Sequence, residues 1–348
     1  MHKIAVILLN WNGKNFLKQF LPSLIEKTKG ENIQFYIVDN GSVDNSIDFV
    51  KNTFPFIKII ELQKNYGYAG GYAIALKKIN ADYFVLINTD VEVTDNWLAP
   101  IIELMEKDKH IAACMPKILS YYNKEYFEYA GAAGGFIDVL GYPFCRGRIL
   151  NVVEKDEGQY DEIIKVFWAS GACLIIRSSV YFEAGEFDPL FFAHMEEIDL
   201  CWRILTLNYK IVCYSKSFVY HVGGGTLPVN SFKIYLNFRN SLFMLAKNLP
   251  TKFYFLIFIR ILLDIFSAFI FLLNGKLKFF YSVFKAHIDF FKSSKIIIKH
   301  RKNFYRKNNI NPILPNIILN QSILLNYFIY NKKKFYLLNK KFKDKIKY

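Results

Sequence analysis

Short apolar runs alternate with helix-length stretches through the first quarter of the chain. The runs are four to six residues long and rich in β-branched or aromatic side chains: Ile4 to Leu9, Gln34 to Val38, Lys58 to Glu61 and Tyr83 to Ile87. Short strands separated by helices are typical of βαβ units, whose strands pair in parallel. We therefore predict an α/β fold, Rossmann-like in outline, with a mostly parallel central sheet flanked by helices.

Acidic residues follow two of these predicted strands. Asp39 comes directly after the second strand, and Asp90 comes shortly after the fourth, within Asn88-Thr89-Asp90. In open α/β sheets, ligands bind outside the carboxyl ends of the strands. The sequence therefore predicts that Asp39 and Asp90 face one shared crevice.

A cluster of three acids lies among aromatic and apolar residues: Glu196, Glu197 and Asp199. Desolvation raises the affinity of such a carboxylate for a proton, which is what a general base requires. The alternative is that these acids stabilise a helix start, with Asp199 and Arg203 paired at helical spacing. The residues by themselves leave both interpretations open.

The middle of the chain is less regular. Residues 115 to 165 are rich in glycine and aromatic residues and include the basic pair Arg146 and Arg148. We predict a loop-rich region over the crevice. Beyond it, Phe167 to Arg177 is predicted to form a core strand entered through small residues, and His221 opens a glycine-rich segment after a further strand.

Charge divides the chain near residue 240. The 348 residues include 45 Lys and Arg and 30 Asp and Glu, for a net charge of +15. Beyond residue 240 there are 21 basic and three acidic residues, so this tail carries +18 and the preceding part −3. Five cysteines without a Cys-x-x-Cys pair favour a reducing compartment such as the cytosol. We predict a domain over residues 1–240, with halves 1–115 and 116–240, and a helical basic tail over 241–348.

The tail has the pattern of a membrane-associated region. The apolar segment from Phe253 to Leu273 is interrupted by Arg260 and Asp264, which can pair on a helix. Its length suits a membrane span, a re-entrant hairpin or a surface helix. From Leu277 to Lys292 a narrow polar stripe faces a broad aromatic face, which is typical of a helix lying in a membrane interface.

Lysines further along would favour anionic headgroups, in the segments 299–307 and 332–347. The alternative is a helix packed on the first domain. Nucleic acid is not an expected partner, because an arm that follows phosphates has no use for so much Phe, Ile and Leu.

Strand-end acids, a later carboxylate cluster and a histidine together suit the transfer of a group from a nucleoside diphosphate. A carboxylate can hold Mg²⁺ or Mn²⁺, and the cation stabilises the departing diphosphate. A second carboxylate can take the proton of the attacking hydroxyl. Direct displacement at an anomeric carbon would invert its configuration.

Six motifs in order give the chain a resemblance to family 2 glycosyltransferases of the GT-A fold, most of all to the bacterial rhamnosyltransferase-like branch. The resemblance covers residues 1 to 240. The motifs are Val38-Asp39-Asn40-Gly41-Ser42-Val43-Asp44, Asn65-Tyr66-Gly67-Tyr68-Ala69-Gly70-Gly71, Asn88-Thr89-Asp90, Ser170-Gly171-Ala172, Glu196-Glu197-Ile198-Asp199-Leu200-Cys201-Trp202-Arg203 and Tyr220-His221-Val222-Gly223-Gly224.

The resemblance implies a role for each matching position. Glu197 would be the catalytic base, with Glu196 as the alternative, and Asp199 and Arg203 would orient it. Asp90 and His221 would hold a divalent metal, Mg²⁺ or Mn²⁺. Nucleotide-sugar binding would fall to Asn10, Asp39, Asn40, Asn65, Gly67, Gly71, Asp90, Ser170 and Gly171.

Two positions depart from the family pattern. Asn88 stands where the fuller Asp-x-Asp element has an acid, so the metal site has fewer charged ligands. Tyr72 stands where relatives often carry a polar residue.

We expect an inverting, metal-dependent glycosyltransferase on the cytoplasmic face of a bacterial membrane. It would move a sugar, with rhamnose as the first hypothesis, from a nucleoside diphosphate sugar to a lipid-linked or cell-envelope glycan. The alternative is a catalytically inactive scaffold or nucleotide-sugar-binding protein of the same fold. A dehydrogenase is disfavoured, because Asn10-Trp11-Asn12-Gly13 replaces the Gly-x-Gly-x-x-Gly turn. A glycoside hydrolase would have no use for Asp39.

Overall fold

The alternating apolar runs form a nine-stranded central sheet flanked by helices in the computed structural model, which describes residues 2–223 and 230–348. The strands are β1 (Ile4–Asn10), β2 (Ile33–Asp39), β3 (Lys58–Glu61), β4 (Tyr83–Ile87), β5 (Val91–Val93), β6 (Ile111–Ser120), β7 (Gly135–Ile137), β8 (Pro143–Cys145), β9 (Arg148–Ile149), β10 (Val152–Val153), β11 (Ile164–Lys165), β12 (Cys173–Arg177) and β13 (Lys210–His221).

The helices connect these strands and then build the C-terminal region. They are α1 (Lys14–Lys27), α2 (Ser46–Thr53), α3 (Gly67–Ala75), α4 (Ala99–Lys107), α5 (Ser178–Glu183), α6 (Glu196–Thr206), α7 (Ser231–Asn248), α8 (Phe255–Leu273), α9 (Leu277–Lys307), α10 (Ile323–Phe328) and α11 (Lys340–Lys345). Short 3₁₀ turns cover Leu76–Lys78, Pro189–Phe191, Thr251–Phe253 and Phe335–Leu337.

The predicted βαβ pattern is confirmed in the N-terminal half, where β3, β2, β1 and β4 lie side by side in parallel. Every residue of β4 is buried, as expected for a strand covered on both faces. Beyond β4 the sheet becomes mixed, because β12 inserts antiparallel between β4 and β6. β13 then pairs in parallel with β6, and β5 and β11 pair antiparallel with β13.

Residues 115–165 differ from the predicted loop region over the crevice. They contain the small antiparallel sheet β10-β9-β8-β7, and both predicted basic residues are buried within it. Arg146 Nη2 donates to the carbonyls of Tyr160 and Glu162 at 2.8 Å each, and Arg148 Nε donates to Tyr129 O at 2.9 Å. These guanidinium groups therefore serve the fold, since they satisfy loop carbonyls that would otherwise be buried without partners.

The C-terminal region packs on the sheet-containing part of the chain. Residue 240 lies inside α7, so no linker separates the two predicted domains there. Arg260 and Asp264 form the predicted pair, with Arg260 Nε 2.8 Å from Asp264 Oδ1, and both are buried. Arg260 Nη1 also donates to Leu140 O at 3.2 Å, so this face of α8 lies against the first domain.

The opposite face of α8 is apolar and exposed, and it continues into α9. With its preceding turn, α8 spans Thr251–Leu273 and is the one helix among the described residues long and apolar enough to cross a membrane by length and composition; 22% of its most apolar window is buried. Large exposed side chains on the two helices are Phe255, Phe258, Ile259, Leu262, Phe266, Phe269, Ile270, Leu272, Leu273, Leu277, Tyr281, Ile288, Phe291, Ile296 and Ile298.

The final lysine-rich segment is folded onto the first domain and does not form a separate basic arm. Phe335 and Phe342 are buried against Phe136, with ring centroids 5.5 and 5.3 Å apart. Lys165 N donates to Ile346 O at 2.7 Å, so the end of the chain extends the edge at β11. Apolar burial thus fixes the segment 332–347, for which the sequence predicted contact with headgroups.

Candidate active site

The carboxyl ends of β1 and β2 place two predicted nucleotide-binding residues side by side. Asn10 and Asp39 are register partners, and both are buried. Asn10 Nδ2 donates to Asp39 Oδ1 at 3.3 Å and to Ser46 Oγ at 2.8 Å, while Asp39 Oδ2 accepts from Ser42 N at 3.2 Å. The structure thus shows Asp39 stabilising a turn at the strand end, and its contact with a nucleotide base stays a prediction.

Asn40 organises the loop that leads into α3. Its Nδ2 donates to Asn65 Oδ1 at 3.0 Å and to Gly67 O at 3.1 Å, and its Oδ1 accepts from Tyr66 N at 3.0 Å. Asn65 Oδ1 also accepts from Gly67 N at 2.8 Å. These amides are used within the protein, so the structure gives Asn40 and Asn65 a supporting role in the loop.

The glycines of this loop admit neighbouring parts of the protein. A Cβ on Gly67 would lie 2.3 Å from Phe192 O, and the φ of this residue is +73°. A Cβ on Gly71 would lie 2.7 Å from Leu9 Cδ1, where α3 packs on β1. Each glycine thus allows a close contact inside the chain, and the approach of a nucleotide to this loop stays a prediction.

Pairing of β5 with β13 brings Asp90 to His221, which lies opposite Val91 in the register. His221 Nε2 is 3.2 Å from Asp90 Oδ1, and His221 Nδ1 is 3.6 Å from Glu128 Oε2. Burial alone would lower the pKa of His221, but close contact with these two carboxylates raises it to about 10. Gly224 of the same motif lies outside the described residues.

Asp90 and His221 suit one part of a metal site, where a bound cation would displace the proton that the carboxylates otherwise hold on His221. Asp90 Oδ1 and His221 Nδ1 are buried atoms that lack a well-formed hydrogen bond within the described residues. No group of three or more His, Cys, Asp or Glu side chains in residues 2–223 and 230–348 has the arrangement of a complete site. Mg²⁺ is commonly held by one or two protein ligands together with substrate phosphates. The residues present fit that kind of incomplete site.

Glu196 and Glu197 begin α6, with one oxygen of each buried and without a hydrogen-bond partner among the described residues. Burial, and next the charge of Glu197, raises the pKa of Glu196 well above its usual value. Burial raises the pKa of Glu197 to about 7, although backbone N–H groups of the helix start act in the opposite direction. Both glutamates thus have the proton affinity expected of an acid–base pair.

Asp199 ties the start of α6 to its neighbours. Its Oδ2 accepts from Arg203 Nη2 at 2.9 Å and from Lys247 Nζ at 2.8 Å, and its Oδ1 accepts from Asn248 Nδ2 at 2.8 Å. Arg203 Nη2 donates in turn to Glu186 O at 2.8 Å. The predicted Asp199–Arg203 pair therefore exists, and it is part of a buried network that also includes α7.

Hydrogen bonds lead from the metal-binding candidates towards the glutamate pair and end at Tyr68, which lies near both glutamates. Asn88 Nδ2 lies 3.5 Å from His221 Nε2, and Asn88 N donates to Ala172 O at 3.0 Å. Tyr68 Oη donates to Gly171 O at 2.8 Å. Burial, with Tyr72 and both glutamates nearby, raises the pKa of Tyr68 well above its usual value.

Ser170 and Gly171 therefore lie between the two halves of the site. Ser170 Oγ donates to Ala130 O at 2.5 Å and accepts from Ala172 N at 3.2 Å, so its hydroxyl shapes the backbone here. A Cβ on Gly171 would lie 2.9 Å from Tyr68 Oη. Tyr72, the departure from the family pattern, is buried and donates to Ile7 O at 3.3 Å.

Two polar residues beside the site had no signal in the sequence. Glu128 contacts His221 from an irregular segment without hydrophobic periodicity. Asn240 reaches the loop before α6 from a helix that begins 35 residues after Glu196. Tyr68 does have a sequence signal, because its hydroxyl-bearing side chain lies between the small residues Gly67 and Ala69 of the second motif.

The pattern of residues 5–181 matches the family described as Glycosyl transferase family 2. This chain belongs to glycosyl transferase family 2. The matched region contains the strand-end residues and Asp90, and it ends before α6. The chain is therefore a glycosyltransferase, and the roles of the residues beyond 181 depend on the geometry described above.

Two curated relatives of this family 2 enzyme are each 23% identical to it over the aligned residues. It is 23% identical over 233 residues to the N-acetylglucosaminyl-diphospho-decaprenol L-rhamnosyltransferase of Mycobacterium tuberculosis, covering 63% of this chain and 75% of that protein. It is also 23% identical over 246 residues to the low-salt glycan biosynthesis hexosyltransferase Agl10 of Haloferax volcanii, covering 68% and 73%.

Solved structures show the same fold. GalNAc-T7, crystallised with UDP, GalNAc and Mn²⁺, superposes with a TM-score of 0.61 at 16% identity over 95% of this chain and 57% of that one. The mannosyltransferase PcManGT of Pyrobaculum calidifontis, in complex with GDP-Man and Mn²⁺, gives 0.51 at 11% identity over 89% and 84%. The GT-A fold expected from the motifs is confirmed.

The contact between Gly67 and Phe192 gives a test of how the loop is built. Gly67→Ala should destabilise the protein more than Gly275→Ala, because both residues have positive φ but nothing lies within 4 Å of a Cβ at Gly275. We expect roughly 1 kcal/mol for the left-handed backbone alone at Gly275, and a larger loss together with weakened nucleotide binding at Gly67. Denaturant unfolding and calorimetry measure both, and equal effects in the two variants would contradict the proposed contact.

Proposed function

We propose that this enzyme is an inverting, metal-dependent glycosyltransferase that extends a lipid-linked or cell-envelope glycan from a nucleoside diphosphate sugar. The observation that carries the proposal is the glutamate pair at the start of α6, of which Glu196 is buried and Glu197 is half-buried. One oxygen of each glutamate lacks a hydrogen-bond partner among the described residues. Tyr68 lies close enough to feel the charge of both glutamates, and it donates to Gly171 O, beside the Ala172 carbonyl that binds Asn88 next to His221. A carboxylate with raised proton affinity beside a polar, cation-binding edge suits the activation of an alcohol.

Glu197 is the proposed base. Its pKa is about 7, and it is less buried than Glu196, so it is proposed to be the member of the pair that ionises first. Ionised Glu197 takes the proton of the acceptor hydroxyl while the hydroxyl oxygen bonds to the anomeric carbon. The bond from that carbon to the diphosphate oxygen breaks, and the nucleoside diphosphate departs with the electron pair. Glu196 remains protonated and limits repulsion within the pair.

Asp90 and His221 are the proposed protein ligands of Mg²⁺ or Mn²⁺. The cation, when bound, would neutralise charge on the diphosphate leaving group. Support comes from their contact at 3.2 Å, from buried atoms without well-formed hydrogen bonds, and from the Mn²⁺ named with both superposed structures. Asn10 and Asp39, at the ends of β1 and β2, are proposed to lie beside the nucleotide.

The donor and acceptor classes are inferred from the relatives. The mycobacterial relative is named for rhamnosyl transfer to a diphospho-decaprenol-linked sugar, and the haloarchaeal one for hexosyl transfer in glycan biosynthesis. A hexose donor, with rhamnose as the first sugar to test, and a polyprenyl diphosphate-linked acceptor follow from these names. An inactive scaffold would have no need of a desolvated glutamate pair beside Asp90.

We also propose that the exposed face of α8 and α9 contacts the cytoplasmic surface of the membrane. One side of α8 is held by the buried Arg260–Asp264 pair against Leu140, which favours a helix lying on the bilayer over a span surrounded by lipid. Exposed Phe258 and Phe266 point away from that side. Lysines along α9 add attraction for anionic headgroups.

Substitution of the base tests the chemistry. Glu197→Gln should lower turnover by about 10³-fold, because an amide cannot accept the proton, while nucleoside diphosphate binding changes no more than a few-fold. For the wild-type enzyme, kcat should fall on the acid side of about pH 7, where Glu197 gains a proton and stops acting as a base.

The measurement is release of nucleoside diphosphate from dTDP-rhamnose, UDP-glucose, UDP-N-acetylglucosamine and GDP-mannose, with N-acetylglucosaminyl-diphosphoprenol as acceptor. Glu31→Gln, exposed and remote from α6, is the control. Unchanged turnover in Glu197→Gln with loss in Glu196→Gln would move the base to Glu196, and full activity of both variants would reject the mechanism.

Removal of Asp90 tests the metal. In the wild-type enzyme, Mn²⁺ should tighten UDP, GDP or dTDP binding by about tenfold or more, and Asp90→Ala should abolish that gain. Asp95→Ala is the matched control, since its side chain is 91% exposed. Titration calorimetry with and without Mn²⁺ decides the matter, and equal affinities in the wild-type enzyme would remove the cation from the proposal.

Charge on the exposed face of α8 tests membrane contact. Phe266→Asp, alone and together with Phe258→Asp, should weaken sedimentation with phosphatidylglycerol-containing vesicles, by a factor of roughly 30 for each phenylalanine withdrawn from lipid. Phe56→Asp is the control, because Phe56 is similarly exposed (55% against 65% for Phe266) on the first domain. Equal sedimentation of all variants would contradict this contact surface.

A further inference from the structure

The loop between the 3₁₀ turn Pro189–Phe191 and α6 has an unusual backbone. Phe192, His194 and Met195 have φ values of 63°, 69° and 70°, although none of them is glycine. L-residues hold such left-handed conformations where surrounding contacts over-determine them. Because Met195 directly precedes Glu196, the path of this loop decides where the glutamate pair lies.

One side chain of the C-terminal region accounts for much of that path. Asn240 Nδ2, on α7, donates to the carbonyls of Phe191, Ala193 and His194, each at 2.8 Å. Asn240 is fully buried. An amide nitrogen carries two hydrogens, so three acceptors at this distance must share them. The loop thus turns three of its carbonyls toward a single donor group.

The remaining carbonyls of the loop are also bound. Arg239, beside Asn240 on α7, donates through Nη2 to Leu190 O at 3.0 Å and to Phe191 O at 3.1 Å. Phe192 O accepts from Ala69 N at 3.0 Å, and Met195 O accepts from Asp199 N at 2.9 Å. The side-chain donors in this set come from α7, and the others are backbone amides of α3 and α6.

α7 is itself fixed on both sides of the loop. Lys247 Nζ lies 2.7 Å from Asp188 Oδ2, just before the loop, and 2.8 Å from Asp199 Oδ2, just after it. Burial would raise the pKa of Asp188, but Lys247 and His300 outweigh it and hold that pKa well below its usual value. Ionised Asp188, together with the Asp199 side chain, therefore holds α7 in register with the loop.

We propose that Asn240 is a positioning residue for the base, and that α7 belongs to the catalytic unit. By binding three carbonyls, Asn240 keeps the loop in its left-handed path and keeps Glu196 and Glu197 out of water. The inference rests on the proposed function only through the placement of the base on α6. A protein that ends at residue 240 would lack Lys247 and Asn248, and with them the contacts that seat α7.

Two substitutions separate positioning from general stability. Asn240→Asp keeps the size of the side chain but removes both N–H donors and points negative charge at the carbonyls. Asn240→Ala removes the donors and leaves space for water. Asn237→Asp and Asn237→Ala, one turn earlier on α7 and partly exposed, are matched controls.

With the full-length protein and the nucleotide-sugar panel above, both Asn240 variants should lose about 10²-fold in kcat, while the donor KM changes less than about threefold. In Asn240→Ala, water reaching the glutamates should move the acid limb of the kcat profile below the wild-type position near pH 7. The Asn237 variants should keep wild-type kcat and profile.

Two results would overturn the inference. One is a kcat in the Asn240 variants equal to that of the Asn237 controls. The other is a loss that follows the melting temperature alone, with the pH profile unchanged. Glu197→Gln measured in parallel distinguishes the proposals: if it is inactive while Asn240→Asp behaves as the control, only the positioning role is wrong. If it is fully active, the proposed base fails first.

Discussion

A buried carboxyl oxygen without a hydrogen-bond partner is costly, and the arrangement around α6 holds two of them, one on Glu196 and one on Glu197. Glu196 and Glu197 gain their raised proton affinity from burial, so any movement that admits water would return them to ordinary acids. Three groups limit that movement. They are Tyr68 from the glycine-containing loop, the hydrogen bonds of Asp199 to Arg203 and Lys247, and Asn240 from α7. The close approach of Gly67 to Phe192 locks the first of these to the loop before the helix.

Residue pattern alone was sufficient for the parallel half of the sheet and for the placement of Asp39 and Asp90 at strand ends. Those predictions depend on local periodicity and on the geometry of βαβ units. Glu128 and Asn240 were not predicted, because long-range packing brings them to the site and leaves no local pattern in the sequence. The glycines show a different limit: a glycine signals close approach, but Gly67 and Gly71 do not reveal what approaches. In the structure, Phe192 lies against Gly67 and Leu9 lies against Gly71.

In the C-terminal region, composition explains the exposed face, whereas packing explains the buried one. Its apolar and basic content predicted a membrane partner, and the exposed face of α8 agrees with that composition. Composition does not reveal which residues of the C-terminal region pack against the first domain. Arg260 and Asp264 interrupt the apolar segment in sequence, yet they form the buried side of α8. Phe335 and Phe342, within a lysine-rich stretch, pack on Phe136.

The insertion of β12 between β4 and β6 has a consequence for synthesis on the ribosome. β4 can pair with β1 once residue 87 has emerged, but the native partner of its other edge, β12, is complete only when residues 173–177 have been made. An uncovered, wholly apolar strand edge is a site where nascent chains associate with one another. The interval of about 85 residues is therefore the period in which a ribosome-bound chaperone would protect this protein most.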